Sequence, residues 1–128
     1  VSDALNWDEV RQLASRVIEG GEPLVLTDEV RGILRRTAPQ VAISTEETER
    51  GLSTVPNATE LLREIARRIR DGSHRLSRAL SRMYRLRDAG DLDGARQQMR
   101  DVLAVEIVPH YRDIAETSLE ALEEDTKD

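Results

Sequence analysis

Leu62, Ile65, Ile69, Leu76, Leu80 and Met83 recur at separations of three, four or their sums, and no proline interrupts the stretch from Leu61 to Arg87. Only a period near 3.6 residues brings those side chains onto one stripe, so the stretch must fold as one long amphipathic helix. Its polar side carries nine arginines and His74 against only Glu64 and Asp71, a local charge of +7. Residues 1–60 carry −5 and residues 88–128 carry −8, so the net −6 of the chain conceals a basic band inside an acidic protein. That band has to meet something acidic, either in the same chain or on a partner.

A chain of 128 residues suits one domain that buries about two-thirds of its unfolded surface, without disulfides or metals for support. The absence of cysteine excludes disulfide frameworks, thiolate metal sites and thiol nucleophiles, and the cytoplasm is the expected location. No apolar run approaches the ~20 residues of a membrane span, and the start of the chain lacks the pattern of a secretory signal. Eighteen arginines stand against the single Lys127, a skew that GC-rich coding produces without any demand for forked donors. Aromatic residues are limited to Trp7, Tyr84 and Tyr111, whereas Ala, Leu, Arg and Glu abound. The composition favours helices over sheets, and the expected fold is all-α.

A first helix is expected over about residues 7–19, capped by Asn6 or Asp8, with Trp7, Val10, Leu13, Val17 and Ile18 on its apolar stripe. Gly20 and Gly21 end it. Two apolar triplets, Leu24 to Leu26 and Val41 to Ile43, each run from a preceding proline into a helix start and read as extended. Whether they pair as a two-stranded ladder stays open, since two short strands alone are marginal. The helices that follow them cover about 28–37 and 45–52, the second opened by the capping-box pair Ser44 and Glu47.

After a loop from Gly51 to Pro56, Asn57 and Glu60 are expected to cap the basic helix over about 58–88. Gly72 lies within its apolar stripe and admits a close neighbour. The turn signal Ala89 to Gly94 leads into a return helix over about 92–122, bent at Pro109 and frayed beyond Leu122. The architecture is thus a single domain, short helices in 1–56 packed on a long antiparallel hairpin in 57–124. The run Leu103 to Val108 is apolar nearly all round and is expected to be buried on every side, with His110 and Tyr111 bonding to the carbonyls that the bend frees.

The segments Trp7-Asp8-Glu9-Val10, Pro23 to Val30 and Arg68-Ile69-Arg70-Asp71-Gly72 occur in order along the chain. They are followed by Gly90-Asp91-Leu92-Asp93-Gly94-Ala95-Arg96-Gln97-Gln98-Met99 and Val105-Glu106-Ile107-Val108-Pro109-His110-Tyr111-Arg112. In these segments the chain resembles the DUSAM domain, a myxobacterial paralogous family of unknown function. The resemblance spans nearly the whole chain and implies a regulatory or interaction module associated with enhancer-dependent transcription. It implies no catalytic residues.

Asp71, His74 and Ser77 lie three apart, but an uninterrupted helix has no free backbone amides for an oxyanion, so the set reads as a solvated flank and no enzyme is expected. Glu106 and His110 are four apart. Bundle metal sites require several such ligands, and two histidines do not supply them, so neither a metal nor another cofactor is expected. Gly90 and Gly94 lack the Gly-Lys-Ser/Thr that a phosphate loop needs.

The remaining candidate site is the line Arg63, Arg67, Arg70, His74, Arg78 and Arg85, flanked by Arg68, Arg75 and Arg82. Asp113, Glu116, Glu120, Glu123 and Glu124 on the return helix could neutralise it internally. Otherwise it is solvated or meets a partner. The expected function is a non-enzymatic, regulatory protein-interaction module in which Arg67, Arg70, Arg78 and Arg85 anchor an acidic partner's carboxylates through forked hydrogen bonds. The alternative is a nucleic-acid-binding regulator using the same helix, disfavoured by the net charge and the scarcity of stacking aromatics. A homodimer is a further expectation, through apolar surface around Leu103 to Val108.

Overall fold

A computed structural model describes residues 5–127 of the chain. The structure is 81% helical, with no strand among the described residues, and the fold is all-α as the periodicity demands. The helices are α1 (Asp8–Ala14), which continues into a wider π turn at Ser15–Glu19, α2 (Asp28–Thr37), α3 (Thr45–Gly51), α4 (Val55–Asp88), α5 (Leu92–Val105) and α6 (Pro109–Lys127). They form two compact units that divide between Ile69 and Arg70, inside α4.

In the first unit α1 packs on α2 and α2 on α3. Side chains fix where α2 and α3 begin, whereas Trp7, the N-cap of α1, makes no side-chain cap bond. Asn6 Oδ1 accepts the Asp8 N–H at 3.0 Å, Thr27 Oγ1 accepts that of Val30 at 3.1 Å, and Ser44 and Glu47 complete a reciprocal capping box. Val10, Leu13, Ile33, Leu34 and Val41 form the core of this unit with Leu62 and Ile65 of α4, all buried. Each such aliphatic side chain contributes about 1.5–3 kcal/mol on leaving water.

Two local expectations change in this unit. Val41 ends a 3₁₀ turn (Ala38–Val41), and Ala42 takes φ 66°, so the second triplet is not extended and no ladder forms among the described residues. Pro39 opens that turn, where its fixed φ fits and its missing N–H costs nothing. The cap of α4 is Thr54, whose Oγ1 accepts the Asn57 N–H at 3.2 Å, rather than Asn57 with Glu60. Pro56 belongs inside the first turn of the helix, where proline is tolerated, and this moves the start ahead of Asn57.

In the second unit α4 packs against α5 and α6. Gly90 turns the chain with φ 86°, and Asp91 caps α5 through the Gly94 N–H at 2.8 Å. Gly72 gives the close approach expected of it: a Cβ there would fall inside the contact distance of the Tyr111 ring and 3.0 Å from Glu106 Oε1. The expected bend at Pro109 is a break. Helix α5 stops at Val105, Glu106 is extended, and Pro109 starts α6, which runs past the expected fraying point to Lys127. Because α6 packs on α5 across so short a connection, it returns antiparallel to α5 and parallel to α4.

The break also overturns the expected burial of Leu103 to Val108. Val105 and Ile107 are 60% and 48% exposed, whereas the one charged residue of the run, Glu106, is 3% exposed. A helix would have faced these side chains around a cylinder, but extended backbone alternates them, so Glu106 and Val108 point inward together. Two carbonyls at the break are bonded by Arg112, whose Nη1 donates to Leu103 O and Glu106 O at 2.8 Å each.

Candidate functional site

The polar side of α4 changes character along its length. In the first unit its arginines are answered by acids one turn away, at spacings where helix side chains meet. Arg63 pairs with Glu60 at 3.4 Å, and Glu64 accepts Arg67 Nε at 3.0 Å and Arg68 Nε at 2.7 Å. Arg68 is only 20% exposed, because its Nη1 also donates to Val41 O at 2.9 Å and Ala42 O at 3.2 Å, tying α4 to the left-handed residue after the 3₁₀ turn.

These donors hold the Glu64 carboxyl down to about 2, the Arg67 hydrogen bond contributing most and outweighing desolvation, with Arg68 adding to it. The unfolded value is about 4.3. A depressed folded value means stability that is complete above about pH 5 and lost as the pH falls toward 2. Glu64→Gln is therefore expected to lower the melting temperature at neutral pH and to converge with wild type near pH 2. Melting curves that stay parallel across that range would remove Glu64 as an acid-sensitive contributor.

In the second unit Arg70 pairs with neighbouring Asp71 at 3.3 Å, Arg87 lies over the Tyr84 ring at 5.0 Å, and Arg75 Nη1 donates to Glu106 Oε1 at 2.6 Å. Glu106 Oε2 accepts the N–H groups of Ile107 and Val108 at 3.1 and 3.0 Å, so the buried carboxylate is enclosed by donors. Arg78, Arg82 and Arg85 differ from all of these. They are exposed and make no ion pair among the described residues.

The acids expected to neutralise them do not: Glu116 meets Arg112 of its own helix at 3.9 Å, and no ion pair joins Asp113, Glu120, Glu123 or Glu124 to α4 among the described residues. Of the six expected contact residues, Arg63, Arg67 and Arg70 thus have local acids, His74 is exposed, and Arg78 and Arg85 are exposed without an ion pair among the described residues. Arg82, read from sequence only as a flank, joins them.

Asp71, His74 and Ser77 stay on unbroken helix, with no backbone donors free beside them. Glu106, once half of a conceivable metal pair with His110, spends its oxygens on Arg75 and two amides. No cluster of three metal-ligating side chains occurs among the described residues. The Arg75–Glu106 pair itself spans 31 positions and leaves no local pattern, although a lone carboxylate inside an apolar run was a signal that something had to enclose it.

With this geometry in view, comparison with known proteins adds one match. A family model described as a protein of unknown function (DUF2379) covers residues 5–122. No curated protein and no solved structure matches the chain.

Proposed function

The chain belongs to the DUF2379 family of proteins of unknown function, and on that premise we propose, from its own surface, that it is a non-enzymatic protein-interaction module that docks an acidic partner on Arg78, Arg82 and Arg85 of α4. The observation that carries this reading is the contrast along one helix. The other arginines of α4 are engaged by an acid within the chain, while these three, spaced four and three apart, stay exposed without one among the described residues. Three guanidinium forks on adjacent turns suit a carboxylate-rich surface, because each presents paired donors at fixed geometry. The resemblance to the DUSAM domain supports a regulatory and cytoplasmic setting for such a module.

The test is recovery of binding proteins from the native cell with the full chain and with Arg78→Glu/Arg82→Glu/Arg85→Glu. Exposed charges contribute about 0–1 kcal/mol each to stability, so the variant should melt within a few degrees of wild type and lose its acidic partner. Mixed-sequence DNA at physiological salt should not compete. A variant that keeps the partner, or one that melts far lower, counts against the reading. Competition by DNA with no protein recovered would transfer the site to nucleic acid.

A further inference from the structure

Arg78, Arg82 and Arg85, without an ion pair among the described residues, have an answering stripe in the same unit. On α6, Asp113, Glu116, Glu120 and Glu124 recur at three and four residues and are all exposed. Like charges at that spacing repel, and those toward the C-terminal end of a helix also oppose its dipole, so the stripe is unfavourable until cations cover it. Its register against α4 is set by the contact of Gly72 with Tyr111. His74 lies two residues beyond Gly72, and Asp113 lies two beyond Tyr111. From there the polar line of α4 ends at Arg85 and the acidic stripe at Glu124, each spanning about 17 Å at helical rise, with Arg78, Arg82 and Arg85 occupying the last ~11 Å of the first. Helices α4 and α6 run in the same direction, so the stripes stand at the same levels, yet no ion pair joins them among the described residues.

We infer that the acidic partner of α4 is a second copy of this chain, related by a two-fold axis perpendicular to α4, so that Arg78, Arg82 and Arg85 of each copy meet the acidic stripe of the other. This rests on reading α4 as the interaction surface and names its partner. A two-fold turn lays α4 antiparallel to the other copy's α6. At equal levels Arg78, Arg82 and Arg85 then face Glu120, Glu116 and Asp113 of the other copy, and the contact is made twice. The doubling matters because exposed ion pairs are individually weak. A foreign acidic protein would engage α4 once and leave the α6 stripe uncovered.

Sedimentation equilibrium of the full chain tests this at about 0.1 M and about 1 M salt, where the screening length falls from about 10 Å to about 3 Å. The wild-type chain is expected to dimerise at low salt, with the dissociation constant weakened at least about tenfold at high salt. Arg78→Glu/Arg82→Glu/Arg85→Glu and Asp113→Arg/Glu116→Arg/Glu120→Arg should each be monomeric with wild-type circular dichroism, and should form a one-to-one heterodimer when mixed. Oligomers larger than a dimer, a dimer indifferent to salt, or well-folded variants that fail to associate on mixing would overturn the inference. A wild-type monomer at high micromolar concentration would also overturn it, and needs no variant. If the α4 variant then still loses an acidic protein from cell extract, the interaction reading of α4 stands without self-pairing; if it loses nothing, both fall.

Discussion

Arg75→Ala is expected to destabilise the protein by about 3–5 kcal/mol, far more than any other arginine of α4, because it strips the counter-charge from a carboxylate that cannot reach water. The Glu106 side chain is 1% exposed, whereas that of Arg75 is 36% exposed, so the two partners are not equivalent. Without Glu106 the guanidinium can turn outward and be solvated. Without Arg75 the carboxylate keeps only the Ile107 and Val108 amides, 3.1 and 3.0 Å away, against the desolvation of a full charge. Glu106→Gln preserves an acceptor for those amides and removes the charge, and in the Arg75→Ala background it should recover part of the loss. Urea unfolding of the two single variants and the double variant isolates this coupling. An Arg75→Ala loss below about 1 kcal/mol would show that the pair is not what holds the Glu106–Val108 break in place.

Trp7→Ala is expected to cost a similar amount, about 3–5 kcal/mol, through a cavity in the first unit. The indole is 6% exposed, and its Nε1 donates to Gln40 Oε1 at 2.9 Å, joining the start of α1 to the 3₁₀ turn. Truncation therefore removes both packing and the partner of a half-buried amide. Since Trp7 is the only tryptophan of the chain, its fluorescence reports this site alone. Native emission should be blue-shifted and should move to the wavelength of exposed indole on unfolding. Emission typical of exposed indole in the folded protein would remove the basis for the large loss.

Sequence and structure agree most closely where a few neighbouring residues decide the outcome. The span Asp28–Thr37 coincides with the expected helix, and the Ser44–Glu47 capping box is formed as read, since a cap is satisfied or left unsatisfied within four residues. Agreement weakens where one residue type has two local uses. Pro39, Pro56 and Pro109 all read as interruptions, yet each stands in the first turn of a helical segment, where a missing N–H breaks no bond.

Helix content, the 3.6-residue stripe of α4, the turn at Gly90 and the basic band were therefore determined by the sequence alone, because each depends on spacing along one chain segment. Which arginines stay open was settled only by tertiary structure. A charge pairs with whatever the fold brings within about 4 Å, and Arg75 finds Glu106 from 31 positions away while Arg78, Arg82 and Arg85 find no acid among the described residues. Burial is likewise a property of neighbours in space. Val105 and Ile107 lie outside and Glu106 inside because a break in the helix, and not their hydrophobicity, aims the side chains.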